Sequence, residues 1–523
     1  MELTMHTKIL YTVALLAISS ISNAQHIQQD LEKFKQQEVL LNSDNAAFLQ
    51  QTKFSNIGNT SLKYDLTKGD FKHPLMAREQ QYVGFSSERY QQLKDWKFYG
   101  KFNLDVGNEK EVAYTTQLNP LRINPYTVVD SLGGNWNKQR YALQAKIASP
   151  LVNDRIGFGL GLQYNVSTGA RQRDPRPENT NNYLELTPSL TYVLDPKSTL
   201  GINGNYSYFV EDLAVSNINT QTVHNMYKLI GLGEYVGSSP LFISSSPITR
   251  KYTGNKFGGN LQYLYQSENI KLLVDGFLNT YSEHATDGVI SPQQAGKHQY
   301  LQYGTHIVSN IIRESALHTF RINWDQKDVD NTEYHQYQDP TTREYITLFS
   351  DVFNTNLVTE ASIGYQMGSL KNNILRWQTG ISVTYDGLDN RYASNQSQQT
   401  VDRLTYRADF KRYFVSENAS GINVQVGFIY SDAVNADFAY DEKSYSTNFI
   451  AHHILYPANQ FLSINYWGAD AALQYNFKRA ENRNNQFYVR LSGNYLQPTS
   501  NETYFNKDMS RIQGQLSIGL YSL

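Results

Sequence analysis

The sequence predicts an all-β fold: a transmembrane, antiparallel outer-membrane β-barrel of about 16 strands (about 14 to 18), with an N-terminal helical plug or tail. Three observations predict it. First, the stretch RIGFGLGLQYNVS places Ile156, Phe158, Leu160, Leu162, Tyr164 and Val166 on one face, and small or polar residues from Gly157 to Ser167 on the other. Such strict alternation marks a strand with a different solvent on each face. Its length exceeds the usual soluble strand and matches a tilted bilayer crossing. Second, the pattern recurs along the chain. Third, the connections between its copies alternate between short and long, as periplasmic turns and extracellular loops do.

Composition removes competitors. The chain has 523 residues, with 39 Tyr, 24 Phe, 14 Pro and no Cys. Without cysteine there is no disulfide framework, thiolate catalysis or lipid-anchored N-terminus. A net charge of -2 offers no electrostatic case for nucleic acid. The mean hydropathy of -0.52 says little, because a barrel hides its apolar surface in alternation.

From the beginning, Lys8 precedes the apolar run Ile9 to Ile18, and Ser22-Asn23-Ala24 supplies small residues for cleavage. We therefore expect a signal peptide over residues 1–24 and a mature chain starting at Gln25. No later run is long and apolar enough for a spanning helix, so an exported two-faced sheet points to the cell outer membrane and its lipid. Residues 25–92 are expected to form the N-terminal helical plug or a periplasmic segment, with Leu31, Phe34, Leu41 and Phe48 at helical spacing. Two weaker alternations, Leu62-Tyr64-Leu66 and Tyr82 to Phe85, are either extra strands or part of that plug.

The regular barrel is expected over residues 93–523. It opens with Trp96, Phe98, Gly100, Phe102, Leu104 and Val106 on one face and Lys97 to Asp105 on the other. Further strands are expected near 140–148, 155–167, 183–194, 199–210, 256–266, 270–281, 299–311, 317–327, 356–366, 375–386, 401–411, 421–431, 468–477, 486–496 and 510–523. Tight polar links, such as Asp195-Pro196-Lys197-Ser198 and Ser267-Glu268-Asn269, alternate with long ones, such as 107–139, 168–182, 211–255 and 432–466. The last strand carries Tyr521 and ends in Leu523 instead of the usual aromatic residue.

Asn124-Pro125-Tyr126 to Asp130, the run RQRDPRP from Arg171 to Pro177 with Asn179 following, and Tyr206 to Glu211 resemble an uncharacterised family of Bacteroidota-type outer-membrane β-barrel proteins. The resemblance implies association with TonB-dependent uptake systems, a TonB-dependent receptor and a surface lipoprotein as partners, and transport without a named substrate.

With the apolar face toward lipid, the lumen-lining candidates are Arg321, Arg376, Arg403, Arg407, Lys411 and Arg490. Arg403, Arg407 and Lys411 share one face of one strand, and such a row would favour anionic solutes. Cross-strand ion pairs in a filled lumen are the alternative. Arg171, Arg173, Asp174 and Arg176 form an extracellular-loop candidate able to hold carboxylate or phosphate, or a turn held by its own ion pairs. The aromatic stretches Tyr334-His335-Gln336-Tyr337 and Phe438-Ala439-Tyr440 read as ligand or partner platforms, or as packed loop tips.

No nucleotide fingerprint is present. His306 and His318 are expected on opposite faces, His452-His453 lacks acidic neighbours, and Asp328, Asp330 and Glu333 lack the remaining ligands of a calcium loop. Neither catalysis nor a cofactor is expected. The reading is a barrel in solute uptake, an accessory subunit of a TonB-dependent nutrient-uptake complex. A stand-alone porin-like diffusion channel or a structural, adhesive surface barrel is the alternative.

Overall fold

Alternating strands can satisfy every backbone group in lipid only by pairing into a closed cylinder. The computed structural model shows that cylinder; it describes residues 27–53, 56–219, 221–237, 241–243, 247–372, 374–415, 420–442, 448–478 and 485–522. Eighteen antiparallel strands form it: Ile57–Gly69, Glu79–Leu93, Trp96–Val112, Gly134–Ala148, Ile156–Arg171, Arg176–Asp195, Ser198–Ser216, Ile248–Gln266, Ile270–Asp287, Gln293–Ile312, Ala316–Gln338, Tyr345–Lys371, Ile374–Tyr392, Ser397–Val415, Gly421–Ala439, Tyr466–Asn476, Asn485–Pro498 and Arg511–Ser522. The first pairs with the last, from Gly58 opposite Ser522 to Gly69 opposite Arg511, and closes the barrel. The signal sequence expected for residues 1–24 lies outside the described residues, as does Leu523.

The lipid-facing residues follow the expected parity. Leu62, Val83, Phe158, Leu160, Ile202, Leu261, Leu278 and Ile381 are all exposed on the outer wall. Their lumen-side neighbours are amides, hydroxyls, small residues and charges, the inverse of a soluble core.

Three sequence expectations change. The barrel starts at Ile57, not at residue 93: Ile57–Gly69 and Glu79–Leu93 are wall strands paired over their whole length. Their alternation is weak because the outward face, which opens with Val83 and Phe85, continues with the polar Ser87 and Arg89 toward the periplasmic rim, opposite the plug-facing Glu88. The long loop expected over 168–182 is a turn of residues 172–175, because Glu178 already pairs with Ala170. Several strands also run well past the apolar band. Tyr345–Lys371 spans 27 residues, since its hydrogen-bond ladder continues where lipid no longer constrains the side chains.

The N-terminal segment is inside the barrel. A helix, Ile27–Gln37, is followed by two 3-10 turns, Val39–Asn42 and Ala46–Gln51. Together they fill the end of the lumen that carries the short turns, the periplasmic end. Leu31 packs on Tyr90, Tyr488 and Tyr521, while Val39, Leu40 and Phe48 pack on Leu264, Leu273 and Val308. Small wall residues make room: an added Cβ on Gly159 would lie 2.3 Å from the Ala47 nitrogen, and one on Gly201 would lie 2.7 Å from the Phe48 ring.

Candidate functional site in the lumen

The lumen is the only chemically varied compartment a barrel offers, and here its wall charges meet partners from distant segments. At the periplasmic end, Lys411 pairs with Glu32 of the plug helix at 2.6 Å, and Lys271 pairs with Glu38 at 2.9 Å. Lys97 donates to the Gln50 and Thr52 carbonyls at 2.9 and 2.5 Å, and Lys146 to the Ser43 carbonyl at 2.8 Å. Gln28 accepts from Asn423 and Asn476, and Asn45 donates to Gln262 and to the carbonyls of Leu190 and Ile202. These bonds come from both sides of the cylinder. They fix the plug laterally where apolar contact alone would let it slide.

At the opposite, extracellular end, residues 113–133 fold inward. Arg122 lies between Glu211 and Glu283, both without solvent exposure, with its guanidinium 4.4 Å above the Phe209 ring. Asn124 and Asn179 donate to the same two carboxylates at 2.7 and 3.0 Å. Two buried acids tolerate burial only with such donors. Val128–Asp130 then pairs with the strand His224–Gly231, forming a small second sheet. Residues 448–465 join this cap: Phe449 stacks on Tyr227 at 5.3 Å, and Arg403 donates to the carbonyls of Leu462 and Ile464.

Among the described residues, two cavities of the lumen stand out. The larger, about 990 Å³, is lined by wall residues including Asn103, Gln163, Asn165 and Asn181 and roofed by Leu75, Met76, Leu118 and Leu121. The smaller, about 240 Å³, lies against the plug among Asp44, Asn45, Gln144, Lys146 and Glu185. Gln163 lines both.

The roof holds a pH-sensitive contact. His73 in the link 70–78 accepts from the Leu75 nitrogen through Nδ1 at 3.3 Å, which requires a neutral ring. Burial, and then the Lys72 charge, lower its pKa from 6.5 to about 4. Between those values the opened link binds a proton that the closed link does not, so closure is fully favoured above pH 6.5 and is lost as pH falls toward 4. Protection at residues 70–78, measured as exchange relative to the intrinsic rate at each pH, is expected to fall across that window and to lose this dependence in His73→Gln. Protection factors unchanged between pH 7 and 4 would refute the contact.

The expected site residues are placed as follows. Arg403, Arg407 and Lys411 do face the lumen from one strand, but they do not form an open cationic row. Arg403 is consumed by the 448–465 segment, Arg407 by Asp470 at 2.7 Å, and Lys411 by the plug. Among the described residues, Arg321 and Arg490 reach amide oxygens alone, of Gln366 and Gln425, each at 3.4 Å. Arg376 sits at a register shift where Leu375 packs inward with Tyr413, so simple alternation does not place it. Thus the six do not converge.

The four loop residues are also structural in their contacts. Arg171 is wholly buried against Asp130 at 2.5 Å and donates to the Pro175 carbonyl at 2.9 Å. Asp174 pairs with Arg176 at 2.6 Å and accepts from the Asn219 nitrogen at 2.9 Å. Arg173 is exposed, and its carbonyl accepts from Arg171. The residues that sequence reasoning missed are Arg122, Glu211 and Glu283. Glu211 and Glu283 keep the lumen parity of their strands, a signal that was available; nothing local marks Arg122 as their partner.

His306 contacts Phe277, and His318 bonds the Tyr365 hydroxyl at 2.8 Å, so the two do not form one site. His452 lies 3.5 Å from Glu442. Among the described residues no three His, Cys, Asp or Glu side chains converge as a metal ligand set.

With this geometry in place, the sequence matches DUF6850, a family of unknown function, over residues 46–522. The chain belongs to this family. The match takes in every barrel strand and the second 3-10 turn of the plug. No curated protein matches. Among solved structures, a Pseudomonas aeruginosa FadL homologue is similar at 11% identity and a TM-score of 0.34, over 97% of this chain and 99% of the other. The FrpB iron transporter from Neisseria meningitidis is similar at 10% identity and a TM-score of 0.40, over 92% and 83%. The copper transporter OprC is similar at 8% identity and a TM-score of 0.38, over 89% and 82%.

Proposed function

We propose that this DUF6850 protein is a gated outer-membrane barrel for solute uptake that works as the accessory subunit of a TonB-dependent nutrient-uptake complex, with a receptor and a surface lipoprotein as partners. The observation that carries the gating is the plug: an 18-stranded cylinder is wide enough for an aqueous channel, and residues 27–53 occupy its periplasmic end through bonds to wall strands on both sides. That arrangement disfavours a freely diffusing porin.

Support for a partner comes from the hairpin of Ala316–Gln338 and Tyr345–Lys371. Ladder pairing to its neighbours stops at Thr332 on one side and Asn354 on the other, with one last bond from the Ala393 nitrogen to the Phe353 carbonyl, so residues 333–352 continue as a two-stranded arm without neighbouring strands. A lone ribbon of this kind is marginal in water. On it Leu348 is 67% and Phe349 53% exposed, with Tyr337, Ile346 and Val352 also exposed beyond the membrane. Apolar surface on an open sheet edge, outside lipid, fits association with another protein.

Native purification from the outer membrane in mild detergent, followed by mass spectrometry, tests this. Wild type is expected to bring down a receptor and a lipoprotein. Leu348→Lys with Phe349→Lys is expected to lose them while keeping the heat-modifiable migration of a folded barrel. A single clean species from wild type would refute an obligate complex and favour a channel, to be read as conductance in a planar bilayer.

A further inference from the structure

We propose that the larger cavity is a binding chamber for an uncharged, hydroxyl-rich solute of the size of a short oligosaccharide, held by amide and hydroxyl groups on two adjacent strands. This names the solute class of the uptake barrel proposed above and rests on that reading.

The charges around the chamber are already spent. Lys63 lies 2.9 Å from Asp105 and 3.6 Å from Asp65, while Glu109 takes Lys138 at 2.8 Å and Arg140 at 2.9 Å. Three cations therefore meet three anions. Lys138 and Glu109 are also buried, and Lys138 further donates to the Leu118 carbonyl of the roof at 3.0 Å. An ionic solute would either break one of these pairs or lie desolvated beside a locally neutral wall, and both are costly.

Uncharged groups are what remain. Gln163, Asn165 and Ser167 face the chamber from Ile156–Arg171, and Asn181 and Tyr183 face it from Arg176–Asp195. The strand register sets Asn165 opposite Tyr183 and Ser167 opposite Asn181. Directly paired positions stand about 5 Å apart and next-nearest ones about 7–8 Å, a rigid grid of donors and acceptors. Among the described residues, the side chains of Gln163, Asn165, Ser167 and Asn181 make no hydrogen bond, although each could donate and accept. Amides can serve neighbouring hydroxyls in either role, and the Tyr183 ring offers an apolar face to a carbon skeleton. At about 990 Å³ the chamber lies at the upper end of the roughly 300–1,000 Å³ usual for small-molecule sites. Gln163 also lines the smaller cavity beside the plug, so a solute released from the chamber would meet the plug next.

The test is binding, read by calorimetry on the full barrel in detergent, with raffinose, maltotriose and cellotriose as neutral probes and glutamate and lysine as charged ones. At least one trisaccharide is expected to bind saturably, and neither amino acid to compete. Asn165→Leu with Asn181→Leu is expected to weaken that binding by about tenfold or more, about 1.4 kcal/mol, while Asn165→Gln keeps it within a few fold. Heat-modifiable migration reports folding of each variant. Binding by none of the three sugars, competition by glutamate or lysine, or unchanged affinity in the double variant would overturn the proposal. Partner co-purification is a separate readout: it can fail while sugar binds, or succeed while sugar does not, so this inference and the accessory-subunit reading fall independently.

Discussion

Asp130→Ala is expected to release the extracellular cap at a cost of about 3–5 kcal/mol, the usual penalty for leaving one member of a buried ion pair alone. Both Arg171 and Asp130 have 0% side-chain exposure, and the guanidinium would lose the one carboxylate it pairs with among the described residues. The same carboxylate also accepts from the Leu132 and Gly133 nitrogens at 2.7 and 2.6 Å, so the turn that ends the inward-folded segment loosens with it. Protease added outside the barrel is expected to cut within residues 113–133 in the variant and not in wild type. The eighteen-stranded wall should survive, because Asp130 belongs to the small second sheet and takes no part in the pairing of wall strands. A second substitution, Arg171→Met, removes the stranded charge and should recover part of the protection. If Asp130→Ala resists protease as wild type does, the pair does not hold the cap.

Gly159→Val is expected to expel the plug and turn a closed barrel into a conducting one. The new Cβ would fall 2.3 Å from the Ala47 nitrogen and 2.7 Å from the Ala46 carbonyl carbon. Both are backbone atoms that cannot swing aside, and the wall strand is fixed by pairing on both edges, so the 3-10 turn must move. Once it moves, Asn45 loses its bonds to Gln262, Leu190 and Ile202, and Phe48 leaves its buried seat. In planar bilayers the variant should show stepwise currents at least several-fold above wild type. Gly100→Val is the matched control, since an added Cβ there meets nothing within 4 Å. Wild-type-like silence from Gly159→Val, with residues 46–51 still protected from exchange, would refute the fit of plug to wall.

How much of this was legible beforehand depends on the range of the interaction. Period-two alternation is local, so the wall strands from Trp96 onward could be located, although the short strands of the inward-folded second sheet were not, and the parity that puts Arg403, Arg407 and Lys411 in the lumen could be read directly. The first two strands were legible only as weak alternations open between wall and plug, Leu62-Tyr64-Leu66 being short and Tyr82 to Phe85 running into the polar Ser86-Ser87-Glu88-Arg89. What a lumen residue does is set by partners far along the chain: Glu32 for Lys411, Asp470 for Arg407 and the carbonyls around Leu462 for Arg403. The loop arginines show the same contrast. Arg176 finds Asp174 two residues away, a pair visible in sequence, whereas Arg171 finds Asp130 forty-one residues earlier, where no pattern announces it. The unspent amides of the chamber were visible as lumen-parity polar residues, but their lack of partners is a property of the packed wall alone.

The seam between the first and last strands constrains the order of assembly. The plug immediately precedes Ile57–Gly69, and the strand that closes beside it, Arg511–Ser522, is the last of the wall in chain order; Asp65 and Gln515, hydrogen-bonded across that joint, are 450 residues apart. Contacts of such separation pay their loop-closure entropy late. The two strands that make the seam are thus brought together late, and the first of them is the strand that carries the plug at its N-terminal end, so closure of the wall and seating of the plug share one joint.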